Sequence, residues 1–169
     1  MSRADCFTMS DAQFSPCRTW RYTLTRQWGP LLPTVNFIGL NPSTADETTL
    51  DPTCRRCVGF AKAWGFGSYV MTNIFAYRST DPKALLAVDD PVGPENDVAI
   101  RRVAFDASLV IAAWGVHGAL NERGAQVTKM LQEIGVAVFC LGVTKAGHPK
   151  HPLYLPKDVK PQLYGGMIL

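Results

Sequence analysis

Residues 35–46 read VNFIGLNPSTAD, an apolar run that breaks abruptly into Gly39, an Asn-Pro pair and a polar tail. Val35–Leu40 suits a strand covered on both faces, which is short and nearly continuous in apolar residues. Gly39 permits close backbone approach and Pro42 fixes its own φ, so the strand exit is held stiffly with Asn41 at its tip.

Three further runs have the same form: Ser68–Phe75, Leu109–Trp114 and Val136–Leu141. Helical patterns lie between them. Pro52–Trp64 has Asp51 as its cap, Pro52 in its first turn, Gly65 as its stop, and Cys54, Cys57, Val58 and Ala61 on one face. Pro94–Ala107 presents Ile100, Val103, Ala104 and Ala107, and Glu122–Ile134 presents Val127, Met130, Leu131 and Ile134 before Gly135. Strand and helix therefore alternate, which predicts an α/β fold: a three-layer αβα sandwich around a central, mostly parallel four-stranded sheet.

Upstream, Arg18–Gln27 alternates, with Trp20, Tyr22 and Leu24 on one face and Thr19, Arg21 and Thr23 on the other, and predicts an N-terminal flanking strand. Residues 1–17 are expected to be a flexible extension and residues 18–169 a single domain. The proline-marked loop Ser79–Pro94 has room for one short helix after Pro82.

Composition narrows the function classes. A chain of 169 residues that is 47% hydrophobic can bury one full core. Its 18% charged residues and net charge of +3 exclude disorder without announcing a nucleic-acid protein. Met1–Pro16 carries Asp5 and Asp11 and no apolar leader, and no run approaches the roughly 20 apolar residues of a membrane helix. A soluble, cytoplasmic protein with no membrane partner is expected. The five cysteines have no framework spacing, so no disulfide is expected. Cys54 and Cys57 share a helix face and lack a second pair at zinc spacing, which favours core packing over a metal site. Gly65-Phe66-Gly67 follows a helix, the reverse of a dinucleotide fingerprint, and no phosphate loop occurs.

Open α/β sheets bind ligands beyond the carboxyl ends of their strands. Asn41 stands at one such end and can orient a water or a substrate carbonyl; a simple turn former is the competing reading. Asn73 ends another run, and its amide offers both a donor and an acceptor, the pair needed to read a base edge. Arg78 nearby is either a phosphate contact or a surface charge. After the last run, residues 144–154 read TKAGHPKHPLY. A proline-held loop can set an imidazole against a developing anion and Lys145 and Lys150 against phosphate, the alternative being a solvated basic loop. Trp114, Gly115 and His117 read as packing and turn residues. Ser43 with a histidine and Asp46 lacks the strand-elbow-helix context of a nucleophilic hydrolase, and Asp46, Glu47 and Asp51 read as solvated acids.

Taken in order, GLNPS, MTNIFAYR, AAWG and TKAGHPKHPLY resemble the strand-end motifs of the uracil-DNA glycosylase superfamily, particularly its mismatch-specific branch with Asn before Pro. The wider set NPSTAD, DPTCRRC, WGFG, DPVGPEND, AWG and HPLY resembles an uncharacterised bacterial and phage family known only as a domain of unknown function. The first resemblance implies a uracil-DNA glycosylase-like fold and a hydrolase, free of metal and cofactor, that removes a uracil-like, deaminated or modified base extruded from DNA. It implies Asn41 as holder of the attacking water and His151 as stabiliser of the leaving base. Asn73 would bind that base, with Gly39, Leu40, Pro42, Ser43 and Phe75 completing the substrate-binding set. Lys145, Lys150 and Arg78 would touch phosphates.

Two departures stand out. Leu153 follows His151-Pro152 where such glycosylases often carry Ser, and residues 44–50 contain no aromatic side chain to stack on a base. Phe75, Trp64 or Tyr154 would have to supply stacking. Hydrolysis or transfer on a free nucleoside or nucleotide, and non-catalytic binding of nucleic acid or nucleotide, are the alternatives; the expected partner is DNA or a nucleotide.

Overall fold

A computed structural model of the chain describes residues 6–165. At its centre lies β3 (Thr34–Gly39), with β4 (Ser68–Asn73) and β5 (Leu109–Ala112) parallel to it on either side and β6 (Phe139–Cys140) parallel to β5. These are the four apolar runs. The helices are α1 (Pro52–Ala63), α2 (Asn96–Asp106) and α3 (Arg123–Glu133).

Alternation along β3 sends its side chains to opposite faces. Phe37 packs with Leu24, Tyr69 and Met71 against Cys54, Cys57, Val58 and Ala61 of α1. Ile38 packs against Ile100 and Ala104 of α2 and Val127, Met130 and Leu131 of α3. Asp51 caps α1 by accepting from the Cys54 amide at 2.8 Å, an interaction worth about 1 kcal/mol. Pro82–Leu86 forms the short helix expected in the proline loop, as a 3-10 turn capped by Asp81.

The sheet is larger than the four buried runs predict. Among the described residues it has seven strands in mixed orientation, in the order β1-β2-β4-β3-β5-β6-β7, the others being β1 (Met9–Phe14), β2 (Arg21–Gln27) and β7 (Gln162–Leu163). All three join antiparallel. β1 (MSDAQF) and β7 are largely exposed, so backbone pairing at the sheet edges holds them and no hydrophobic pattern announces them. Residues 9–14 of the segment expected to be a flexible extension are thus built into the sheet; residues 1–5 lie outside the described part. The flanking strand expected at Arg18–Gln27 is an inner one, paired on both sides.

A register shift between β1 and β2 overturns the predicted faces of β2. Gln13 pairs with Thr23 and Phe14 with Arg21, so Tyr22 is the extra residue of a bulge. Trp20 and Tyr22 consequently pack with Ala76 and Ala99, whereas Leu24 joins the α1 side. Arg21 is thereby turned inward and buried at 1% exposure. β6 is shorter than the Val136–Leu141 run because the α3 stop uses its beginning, with the Val136 amide bonded back to Leu131 O. Among the described residues no helix is long and apolar enough to cross a membrane, and all five cysteines are free thiols, with Cys54 and Cys57 buried in the core face of α1.

Candidate functional site

The carboxyl ends of β3, β4 and β5, the start of α1 and the loop after β6 enclose a cleft of about 690 Å³, within the range of small-molecule sites. The loop leaving β3 is fastened to the loop leaving β4. The amides of Ile74, Phe75 and Ser79 donate to the carbonyls of Gly39, Leu40 and Pro42, each at 2.9 Å. Asn41 reinforces this seam, its Nδ2 donating to Ser79 O at 2.9 Å and to Pro42 O at 3.2 Å. With Nδ2 so engaged, Oδ1 is the atom left to meet a ligand or water. Farther along, Asp46 Oδ1 accepts from the amides of Thr48 and Thr49, and buried Arg21 and Arg26 donate to the carbonyls of Ala45 and Asp46. The segment is therefore rigid before any ligand arrives.

Asn73 lies at the floor, 1% exposed, and neither Oδ1 nor Nδ2 has a hydrogen-bond partner. Its backbone is pinned from the opposite face of the sheet. Asn96 Nδ2 donates to Asn73 O at 2.8 Å, and Arg123, which is paired with Asp97, donates through Nε to Ile74 O at 2.8 Å. Both main-chain carbonyls here are satisfied, while among the described residues the Asn73 side-chain amide finds no partner.

His151 stands at the mouth, beside Gly115. Its Nδ1 accepts from the Leu153 amide at 3.3 Å, which caps the short turn Pro152–Tyr154. In the neutral ring the proton must then sit on Nε2. Although one edge meets solvent, enough protein surrounds the ring for desolvation to hold its pKa below the ordinary imidazole value, against the opposing pull of Asp51.

Of the residues singled out from sequence, Gly39, Leu40, Asn41, Ser43, Asn73 and His151 line this one cleft. Trp114, Gly115 and His117 line it as well: Gly115 turns the chain at φ 72°, and buried Trp114 packs so tightly on Gly118 and Gly124 that neither could carry a Cβ. Phe75 and Pro42 are buried outside it, and Trp64 stacks on Phe37 and Phe60 in the core. Tyr154, 91% exposed, is the aromatic residue placed at the mouth. Lys145 and Lys150 are exposed on the neighbouring hairpin and do not line the cleft. Arg78 is elsewhere too, over the Phe14 ring and donating to Arg18 O at 3.1 Å.

Among the lining residues that sequence reasoning missed as site members are Arg21, Asp51 and Cys54. Arg21 was hidden by the bulge, Asp51 was recognised only as a helix cap and surface acid, and Cys54 only as core. Burial pushes the Cys54 thiol up to about 12, so it is no nucleophile at neutral pH. No cluster of three or more metal-ligating side chains occurs among the described residues. No curated protein and no solved structure matches the chain. One family model does match, over residues 21–153, which include every strand and helix that builds the cleft, and the chain accordingly belongs to the family described as protein of unknown function, DUF1643.

Proposed function

We propose that the cleft receives a nucleobase turned out of DNA and that the protein hydrolyses its N-glycosidic bond without a metal ion. Asn73 carries this reading. A buried amide with donor and acceptor both free is costly unless a ligand supplies the opposite pair. The Watson–Crick edge of a uracil-like base offers a carbonyl and an N–H side by side. Tyr154 at the mouth can stack on the base in place of the aromatic residue that 44–50 lacks.

Cleavage sends the bonding pair from the sugar carbon to the base nitrogen, and the charge spreads to the base oxygens. A neutral His151 with its proton on Nε2 is suited to donate there, and costs less to desolvate than an imidazolium. Asn41 Oδ1 can hold a water by accepting a hydrogen bond from it. A carboxamide is no base, so the water captures a sugar carbon that already carries cationic character and releases its proton to solvent.

A second reading, hydrolysis or transfer on a free nucleoside or nucleotide, draws support from the placement of Lys145, Lys150 and Arg78 outside the cleft. Oligonucleotides carrying uracil, hypoxanthine and hydroxymethylated bases, incubated with wild type, Asn41→Ala and His151→Ala and then treated with alkali, test the first reading. Strand breaks that either substitution abolishes support it. Intact strands throughout, with free base released from nucleosides or nucleotides, replace it by the second.

A further inference from the structure

Among the described residues three arginines are almost fully buried: Arg21, Arg26 and Arg123. Two of them spend their donors inside the protein. Arg26 bonds the carbonyls of Thr25, Asp46 and Thr49, and Arg123 bonds Ile74 O, Gln126 and the Asp97 carboxylate. Arg21 differs. Its Nη1 donates to Ala45 O at 2.9 Å, its Nε has no partner, and among the described residues no carboxylate lies within ion-pair distance of it. It is also the one arginine or lysine among the described residues that line the cleft.

An unpaired buried guanidinium is unfavourable, and its planar donors match phosphate and carboxylate oxygens better than any other group. The β2 bulge puts Arg21 on the α1 side of the sheet, where Asn73, Met71 and Cys54 also face the cleft. The one acid among the described residues of the lining, Asp51, already accepts from the α1 amide of Cys54.

We propose that Arg21 forms an anion subsite in the floor of the cleft, and that the ligand carries an anionic oxygen group, a phosphate ester or a carboxylate, together with the base held by Asn73. This names a substrate class for the same cleft and rests on its reading as a base site.

Calorimetric titration with uracil, orotate, uridine, uridine 5′-monophosphate and inorganic phosphate tests it. Wild type is expected to bind orotate tighter than uracil, or the monophosphate tighter than uridine, by about tenfold or more, the weight of one charge-assisted hydrogen bond. The first preference identifies a carboxylate, the second a phosphate. Arg21→Gln is expected to erase the preference and Arg21→Lys to keep part of it. Equal affinities within both pairs in wild type overturn the subsite without any variant, as does a preference that survives Arg21→Gln. Phosphate binding that needs Arg21, with no binding of neutral bases, upholds the subsite while removing the base reading. Uracil binding that needs Asn73, with no gain from an anion, does the reverse.

Discussion

Gly39 and Asn73 face each other across paired strands so closely that a Cβ on Gly39 would lie 2.7 Å from Asn73 Oδ1 and 2.6 Å from Met71 Cε. The missing side chain is what leaves room for the Asn73 amide to stand in the cleft floor. Gly39→Ala is therefore expected to turn that amide aside and to lower base affinity about tenfold or more, for the loss of its paired hydrogen bonds. Met71 ends in a flexible methyl that can give way, so the stability cost should stay near 1–3 kcal/mol, roughly that of mild overpacking. Calorimetry with uracil and urea unfolding measure the two effects. Unchanged binding would show that the Asn73 amide is not the base reader.

Asn73 and Asn96 should separate cleanly in stability. Asn96 satisfies the main-chain carbonyl of Asn73 and shares that of Ile74 with Arg123, so Asn96→Ala orphans one buried acceptor, Asn73 O, and should cost about 1–3 kcal/mol. Asn73→Ala removes two atoms that have no partner, so its stability loss should be smaller although the residue is equally buried. Its ligand affinity should fall all the same. Urea midpoints of the two variants decide; a larger loss for Asn73→Ala would mean that its side chain braces the fold.

What was legible in the sequence was the centre of the molecule. The runs beginning at Val35, Ser68 and Leu109 are largely buried on both faces and, with the run beginning at Val136, are nearly continuous in apolar residues, so the parallel strands and the ends that form the cleft could be read directly. The edges could not, because β1 and β7 are held by main-chain bonds that leave no mark on side-chain pattern. Arg21 shows the other limit. One inserted residue, Tyr22, reverses the inward face of β2, and period-two alternation assumes that no such bulge exists. A third limit is spatial: Lys145 and Lys150, expected to touch phosphate, are close to His151 in sequence, but the stretch bridged at Val143 and Pro149 leaves them outside the cleft lining.

His151 makes the site sensitive to acid. Its pKa lies below the ordinary value of 6.5, held there by desolvation. Between those two values the unfolded chain binds a proton that the folded chain resists, so the His151 contribution makes stability fall as pH drops below 6.5 and adds nothing above it. Neutral Nε2–H is the proposed donor, and turnover should accordingly be flat from pH 7 to 8 and decline once the pH passes below the lowered pKa. Titration of the His151 ring by NMR, set beside the rate profile, checks the match. An imidazole that titrates above 6.5 would contradict both statements.

Asp51 links the helix cap to that histidine. Its carboxylate accepts from the Cys54 amide and is also the charge that raises the His151 pKa against desolvation. Asparagine caps helices about as well as aspartate, so Asp51→Asn should cost less than about 1 kcal/mol, chiefly from the lost charge at the helix N-terminus. Asp51→Ala removes the cap as well and should cost more, about 0.5–2 kcal/mol. Both remove the same charge, so in both the His151 pKa should move further down and the acid limb of activity with it. The shared pKa change and the unequal stability losses distinguish an electrostatic role from a structural one. A His151 titration that is identical in wild type and Asp51→Asn would break the link, leaving Asp51 as a cap and nothing more.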